Sequence, residues 1–250
     1  MQRRNYKNPP ITEALCAIHF APGHEWDFTY PSLYYEKIKS EFSGKVREQK
    51  LVNIEANPKE AIAKGAAGMA VNEVTRIQFV TSDERKIISL YQDDLAVSVV
   101  RPYPGWEAFR ATIVGAFDAY RGIAEPSGVR RIGLRYINQI EVQGQLSNLL
   151  QCFSRPPAQF EGTNKQLENF AWRSEYVYQD EPIKITTTLA RLASAIEKTI
   201  ALFDIDLIWE WPAESLSVEQ TMSRIDDLRH RQREAFESSI TDKARGMFDA

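Results

Sequence analysis

The sequence predicts an α+β fold in which antiparallel sheet carries helices packed on one face. Two patterns predict it: apolar residues recur at every second position in several short runs, and at three- and four-residue steps in others. Short polar turns, at residues 82–85 and 92–94, separate consecutive runs of the first kind, which is typical of a meander. The order of the runs lacks the regular strand and helix alternation of a doubly wound fold. We therefore expect antiparallel sheet and a long C-terminal helix.

The first half of the chain, residues 1–144, contains most of the predicted strands. They cover residues 15–20, 75–80, 86–91, 95–100 and 129–142. Pro31 predicts the start of a helix, because proline is tolerated in a first helical turn, and this helix is expected to end at Gly44. Residues 106–120 form a second helix with one apolar side. Residues 56–74, rich in alanine with two glycines and one proline, predict a mobile or weakly helical connection.

The second half, residues 145–250, begins with a short helix over 146–153 and a Pro156-Pro157 loop. Three strands follow, over residues 170–178, 183–189 and 201–209, with 190–198 expected to be loop or a helical turn. A long helix starts at Ser217, and a last short one runs from Thr241 to near Phe248. Each half combines hairpins with a helix, which suggests a loose duplication, in two domains or in one continuous domain.

Composition disfavours several classes of protein. The formal net charge is −3, so no global positive field would hold a nucleic acid. The two cysteines, Cys16 and Cys152, have no metal-like spacing and are expected to be reduced core residues. No apolar stretch is long enough for a signal peptide or a membrane span. We therefore expect a cytoplasmic protein.

Asp204 and Asp206 are the pair that most resembles a reactive site. They lie two residues apart on a predicted strand and so share one sheet face. Two carboxylates on one face could hold Mg²⁺ or act as acid and base. The alternative, which we favour, is a salt bridge to Arg131, Arg135 or Lys184 on a neighbouring strand.

Arg131 and Arg135 form the second candidate, since they project from one face with Gly133 between them. The glycine leaves open backbone that an anionic group could approach. Pairing with Glu13 or Asp204 is the favoured alternative. Together these residues define a candidate polar cluster: Glu13, Arg131, Arg135, Asn138, Asp204 and Asp206.

The sequence predicts no catalytic residue, no metal ligand and no cofactor. The three histidines, His19, His24 and His230, are scattered and lack partners at a metal-ligand spacing. Sequence motifs of serine hydrolases, phosphate-binding loops and dinucleotide-binding folds are absent. The absence of these motifs and spacings favours a protein that is not an enzyme, but it does not exclude an enzyme.

The predicted C-terminal helix carries an apolar stripe between charges of both signs. This pattern points to a solvated or partner-docking helix and not to a nucleic-acid stripe. Packing on the chain's own sheet is the default, and completing a dimer is the alternative. The residues of this candidate interaction helix are Met222, Ile225, Arg229 and Phe236.

Several segments resemble a sporadically distributed family of uncharacterised bacterial proteins, over nearly the whole chain. They are residues 8–11 and 13–14, 101–103 and 106–109, 131–138, 203–206, 236–237 and 240–242. The resemblance implies a bacterial cytoplasmic protein, and no activity, cofactor or catalytic residue comes with it. The family's patchy distribution resembles that of defence or toxin–antitoxin genes.

We therefore expect a non-enzymatic protein-interaction or accessory protein, such as an antitoxin-like or defence-system component. Its expected partner is another protein or a second copy of the chain, with no membrane and no nucleic acid. The alternative is a ligand-binding or metal-dependent phosphoryl-processing protein. That function would use Asp204 and Asp206 with Arg131 and Arg135.

Overall fold

One antiparallel sheet with helices on one of its faces forms the protein. The computed structural model describes residues 4–21, 26–56, 69–156, 167–192, 198–211 and 217–250. The strands are β1 (Ile11–Phe20), β2 (Arg47–Ala56), β3 (Met69–Val80), β4 (Lys86–Tyr91), β5 (Asp94–Val100), β6 (Val129–Gln143), β7 (Ala171–Val177), β8 (Ile183–Leu192) and β9 (Lys198–Glu210). The helices are α1 (Tyr30–Ile38), α2 (Trp106–Ala124), α3 (Leu146–Leu150), α4 (Val218–Ser239) and α5 (Asp242–Asp249).

The nine strands of these described ranges lie in the order β2-β3-β4-β5-β1-β6-β9-β8-β7. Every neighbouring pair is antiparallel. The predicted α+β class, with antiparallel sheet and a long C-terminal helix, is confirmed.

The core lies between the sheet and the helices. Tyr136 of β6 is 0% exposed, as the period-two pattern of that strand predicts. Phe20 of β1 stacks on Tyr120 of α2 with ring centroids 4.7 Å apart, and Phe203 of β9 stacks on Phe236 of α4 at 6.2 Å. Since these strand residues share one sheet face, the prediction that helices pack on one face is confirmed.

The order of elements in the chain repeats. β1, α1, a meander of four strands and α2 are followed by β6, α3, a meander of three strands and α4. The first strands of both series, β1 and β6, pair at the centre of the sheet, and each is flanked by the last strand of its own meander. The two predicted similar halves are thus visible in the topology, and the second series begins at β6.

The sheet continues across residue 144, where the sequence suggested a division between residues 1–144 and 145–250. β6 precedes this point and β9 follows it, and the two pair from Arg131 opposite Glu210 to Gln143 opposite Lys198. A division there would separate two strands that are hydrogen-bonded along their length.

The largest departure from the sequence prediction concerns residues 47–56 and 69–74. The structure places residues 69–74 in the first part of β3, where a connection or a weak helix was expected over 56–74. It also forms β2 from residues 47–56, and no element was predicted for residues 47–55. β2 is an edge strand with many polar residues, and such a composition weakens the period-two signal. The rest of the predicted connection, residues 57–68, lies outside the described residues. Residues 190–192 extend β8, so no helical turn forms there.

The long helix α4 begins with a reciprocal cap. The Ser217 hydroxyl accepts from the backbone N–H of Gln220, whose side chain accepts from the backbone N–H of Ser217. Further along the helix, Ile225 and Leu228 are 0% exposed and pack into the core. The cap and this apolar side together hold the helix across the covered face of the sheet.

Candidate functional site on the uncovered sheet face

The sheet face opposite the helices, called the uncovered face below, carries charged side chains in cross-strand rows. Within the described ranges no helix packs against it. In one row, Arg131 of β6 lies opposite His19 of β1, which lies opposite Asp94 of β5. In a second row, Arg135 of β6 lies opposite Asp206 of β9. Four adjacent central strands, β5, β1, β6 and β9, thus bring together residues that are far apart in the chain.

A strip of small residues separates the two rows. Gly133 of β6 lies opposite Ala17 of β1, which lies opposite Ala96 of β5. A Cβ atom added to Gly133 would lie 3.8 Å from the Cβ of Ala17, an ordinary contact distance. The predicted open backbone between Arg131 and Arg135 is therefore present as a shallow strip.

Arg135 and Asp204 form a two-pronged ion pair. The Nε and Nη2 atoms of Arg135 donate to the two carboxylate oxygens of Asp204, at 2.9 and 2.8 Å. The hydrogen bond to Asp204 raises the pKa of Arg135. Asp204 is 8% exposed, whereas half of the Arg135 side chain reaches solvent. Of the alternatives left open by the sequence, pairing of Asp204 with Arg135 is the one that the structure shows.

Asp206 shares the face with this pair but lies in a different electrostatic environment. Burial raises its pKa above the usual 3.8, the charge of Arg135 opposes that change, and the charge of Asp204 adds to it. We call Arg135, Asp204 and Asp206 the Asp204 cluster. Two neighbouring carboxylates in unlike environments are a feature of acid and base pairs, but both oxygens of Asp204 already accept from Arg135.

A second cluster, called the Asp94 cluster, consists of Arg76, Asp94, His19 and Arg131. Asp94 is 3% exposed, and its Oδ2 atom accepts a hydrogen bond from Arg76. Its Oδ1 atom lies 3.7 Å from His19 Nδ1, too far for a hydrogen bond. Burial lowers the pKa of His19 below 6.5, Asp94 opposes that change, and Arg131 adds to it.

The Asp94 cluster contains buried polar atoms without a hydrogen-bond partner among the described residues. They are Arg76 Nε, Asp94 Oδ1 and Arg131 Nε. Buried polar atoms in folded proteins are nearly always hydrogen-bonded, so each such atom needs a reason. On a sheet face that no described helix covers, a bound partner is one way to supply the missing bonds.

Asp94 and Arg76 were not predicted as site residues from the sequence. Asp94 falls in the polar run 92–94, which was assigned to a turn, and it is in fact the first residue of β5. Arg76 reaches it across the intervening strand β4. A charged residue at a strand end was the available signal, but the strand order was needed to connect the two.

Two members of the predicted polar cluster take no part in these ion pairs. Glu13 lies on the uncovered face, opposite Ile137, but its carboxylate forms no hydrogen bond or ion pair with a described residue. Asn138 lies on the covered face, is 1% exposed, and donates to the backbone carbonyl of Phe203 at 3.0 Å. Its grouping with the arginines is corrected, because neighbouring strand residues point to opposite faces.

The predicted interaction helix is also corrected. Ile225 and Phe236 are 0% and 8% exposed, and Met222 packs against the same core. The guanidinium of Arg229 lies over the ring of Tyr136, 4.7 Å from its centroid. These four side chains are engaged within the chain, so the default of packing on its own sheet describes the helix.

In the described part of the chain, no three His, Cys, Asp or Glu side chains are grouped so as to hold a metal ion. None of the described helices is both long and apolar enough to cross a membrane. The chain matches no protein-family model, and no curated protein matches it in sequence. Its resemblance to a sporadically distributed bacterial family stays a prediction.

Proposed function

We propose that this chain is a non-enzymatic interaction protein whose uncovered face docks another protein chain. One observation carries the proposal: the centre of that face holds buried polar atoms, Arg76 Nε, Asp94 Oδ1 and Arg131 Nε, without partners in the described structure. A docked protein surface covers the partly exposed Arg76 and Arg131 side chains to which two of these atoms belong. It also excludes the water that competes for the ion pair of Arg76 with Asp94.

The balance of charge on this face favours a protein over a nucleic acid. Basic and acidic side chains alternate across the strands, and the register places these on it: Arg76, Arg131, Arg135, Arg173, Lys184, Glu13, Asp94, Glu175, Asp204, Asp206 and Glu210. A phosphate backbone is held by unopposed cations. Here Arg135 is committed to Asp204 and Lys184 to Glu175, at 2.8 and 2.6 Å. Such a pattern suits a protein interface, where complementary charges set orientation and specificity.

The alternative, metal-dependent phosphoryl processing at Asp204 and Asp206, is less well supported. Magnesium in proteins is held by free carboxylate oxygens, and those of Asp204 accept hydrogen bonds from Arg135. Arg131 and Arg135 also lie on opposite sides of the Gly133 strip. The patchy distribution of the family that the chain resembles supports an antitoxin-like or defence-system role, which the experiment below also tests.

The test is to express the tagged chain together with its neighbouring genes and to measure the mass of the purified complex by light scattering. We expect a stoichiometric complex with a protein, lost when Arg131→Glu or Arg135→Glu reverses charge on the uncovered face. Arg121→Glu is the matched control. Arg121 lies on α2, is 44% exposed, and among the described residues forms an ion pair only with Asp118 in the preceding helical turn.

Thermal unfolding of each purified variant shows that it is folded, so loss of the complex reports binding. A chain that stays monomeric with all neighbouring products would overturn the proposal. So would a complex that survives charge reversal on the uncovered face but is lost with Arg121→Glu.

A further inference from the structure

A cavity of about 320 Å³ lies on the covered side of the sheet, beside the C-terminal end of α4 and far from the charged clusters. Four nearly buried apolar side chains form its floor: Phe153, Ile185, Leu189 and Phe203. Trp172 and Tyr176 of the edge strand β7 form a more exposed wall, at 41% and 55% exposure. Large aromatic side chains on a soluble surface are costly to leave in water, so their concentration around a cavity marks a binding site.

Polar groups that have no partner among the described residues surround this apolar floor. Ser174 lies between Trp172 and Tyr176 along β7 and directly opposite Thr187 of β8. Arg155, after α3, completes the lining. Neither hydroxyl nor the guanidinium forms a hydrogen bond or an ion pair with a described residue. The cavity therefore presents one uncommitted positive charge and two uncommitted hydroxyls around an apolar base.

We propose that this cavity binds an apolar small molecule with a single carboxylate, such as an aromatic acid. The ring system occupies the space over Ile185, Leu189 and Phe203, between the Trp172 and Tyr176 side chains. The carboxylate pairs with Arg155, whose planar guanidinium matches the two carboxylate oxygens. Ser174 and Thr187 supply hydroxyls to polar substituents of the ring.

The size of the cavity limits the ligand. Pockets that hold small molecules enclose roughly 300–1,000 Å³, so this one belongs at the small end of that range. A fused two-ring acid is of suitable size, whereas a nucleotide carries too much charge for one arginine. The site lies on the opposite face of the sheet from the Asp94 and Asp204 clusters, so it is independent of the proposed protein interface.

The experiment compares 2-naphthoate with its neutral counterpart, 2-naphthamide, by ligand-observed NMR on the full chain. We expect naphthoate to bind at least about tenfold more tightly than the amide, a difference of about 1.4 kcal/mol. Arg155→Gln should remove that preference by weakening naphthoate alone. Trp172→Ala should weaken both ligands, because both lose the aromatic wall.

Arg173→Gln is the matched control, because Arg173 lies on the same strand but on the uncovered face, with 68% of its side chain exposed. It should change neither affinity, and Arg135→Glu should change neither as well, which separates this proposal from the proposed protein interface. Equal affinity for the two ligands, an Arg155→Gln variant that keeps the preference, or no saturable binding of naphthoate below about 1 mM would overturn the proposal.

Discussion

The two charged clusters of the uncovered face differ in how completely they are satisfied. In the Asp204 cluster, both oxygens of Asp204 accept from Arg135, and the arginine reaches solvent. In the Asp94 cluster, the carboxylate is 3% exposed, and one of its oxygens and two nearby arginine Nε atoms are buried without a hydrogen-bond partner among the described residues. The first cluster is a self-sufficient ion pair, whereas the second leaves polar atoms unsatisfied by the residues that the structure describes.

The largest expected effect separates Asp94 from its sequence neighbour Asp93. Asp94→Ala leaves Arg76 partly buried without its carboxylate, which should destabilise the fold by about 3 kcal/mol. Asp93→Ala breaks only the exposed pair with Arg130, of 3.1 Å, and should cost less than about 1 kcal/mol. Urea unfolding of both variants measures the difference. Equal losses would mean that the Asp94 carboxylate is not more deeply engaged than that of Asp93.

A smaller effect compares two bidentate pairs of different burial. Asp204→Asn should destabilise the fold by about 2 kcal/mol, because a charge-assisted pair to a buried carboxylate is lost. Asp226→Asn should cost less than about 1 kcal/mol, since the Arg110 and Asp226 side chains are 34% and 42% exposed. The same unfolding measurement serves here. A larger loss at Asp226 would contradict the importance given to burial.

The pH dependence of stability sharpens the comparison through His19. Its pKa is lowered in the folded state, so below about pH 6.5 the unfolded chain binds more protons than the folded chain does. The fold should therefore lose stability from pH 7.5 to pH 5.5, and His19→Gln should lose less. His230→Gln, at an exposed position on α4, should keep the wild-type loss. Identical pH profiles for wild type and His19→Gln would refute this role of His19.

Asp206 should act with the opposite sign and the smallest effect. Because its pKa is raised in the folded state, the folded chain holds more protons than the unfolded chain at pH values just above 3.8. The free energy of unfolding therefore falls as the pH rises through that range. Asp206→Asn should therefore gain stability relative to wild type between pH 4 and pH 7. Denaturant titrations at the two pH values measure the gain. A variant that is relatively less stable at pH 7 would show that Asp206 is needed as an anion.

Local hydrophobic spacing was sufficient to predict which residues share a face. It placed Asp204 and Asp206 together, and Arg131 with Arg135, since the side chains of a strand alternate whatever its neighbours are. It could not select Arg135 as the partner of Asp204, because that depends on β9 lying beside β6. Asp94 was missed for the same reason.

The covered side shows the same limit. Trp172 and Tyr176 alternate along β7 and Arg155 lies in a loop, so nothing in their sequence spacing indicates that they line one cavity. Their common cavity arises only when β7, β8 and the end of α4 come together. The spacing of apolar residues on α4 was visible in the sequence. That Phe236 and Arg229 of this helix contact Phe203 and Tyr136 of the chain's own sheet could be seen only in the structure.

Modification of His19 by diethyl pyrocarbonate, with and without the co-expressed partner, tests the uncovered face most directly. His19 lies in the Asp94 cluster with 20% of its side chain exposed, and its lowered pKa leaves it neutral and reactive at pH 7. His230 on α4, with 70% exposed, is the internal reference. We predict that the bound partner slows modification of His19 and leaves the rate at His230 unchanged. An unchanged rate at His19 in the intact complex would contradict docking on the uncovered face.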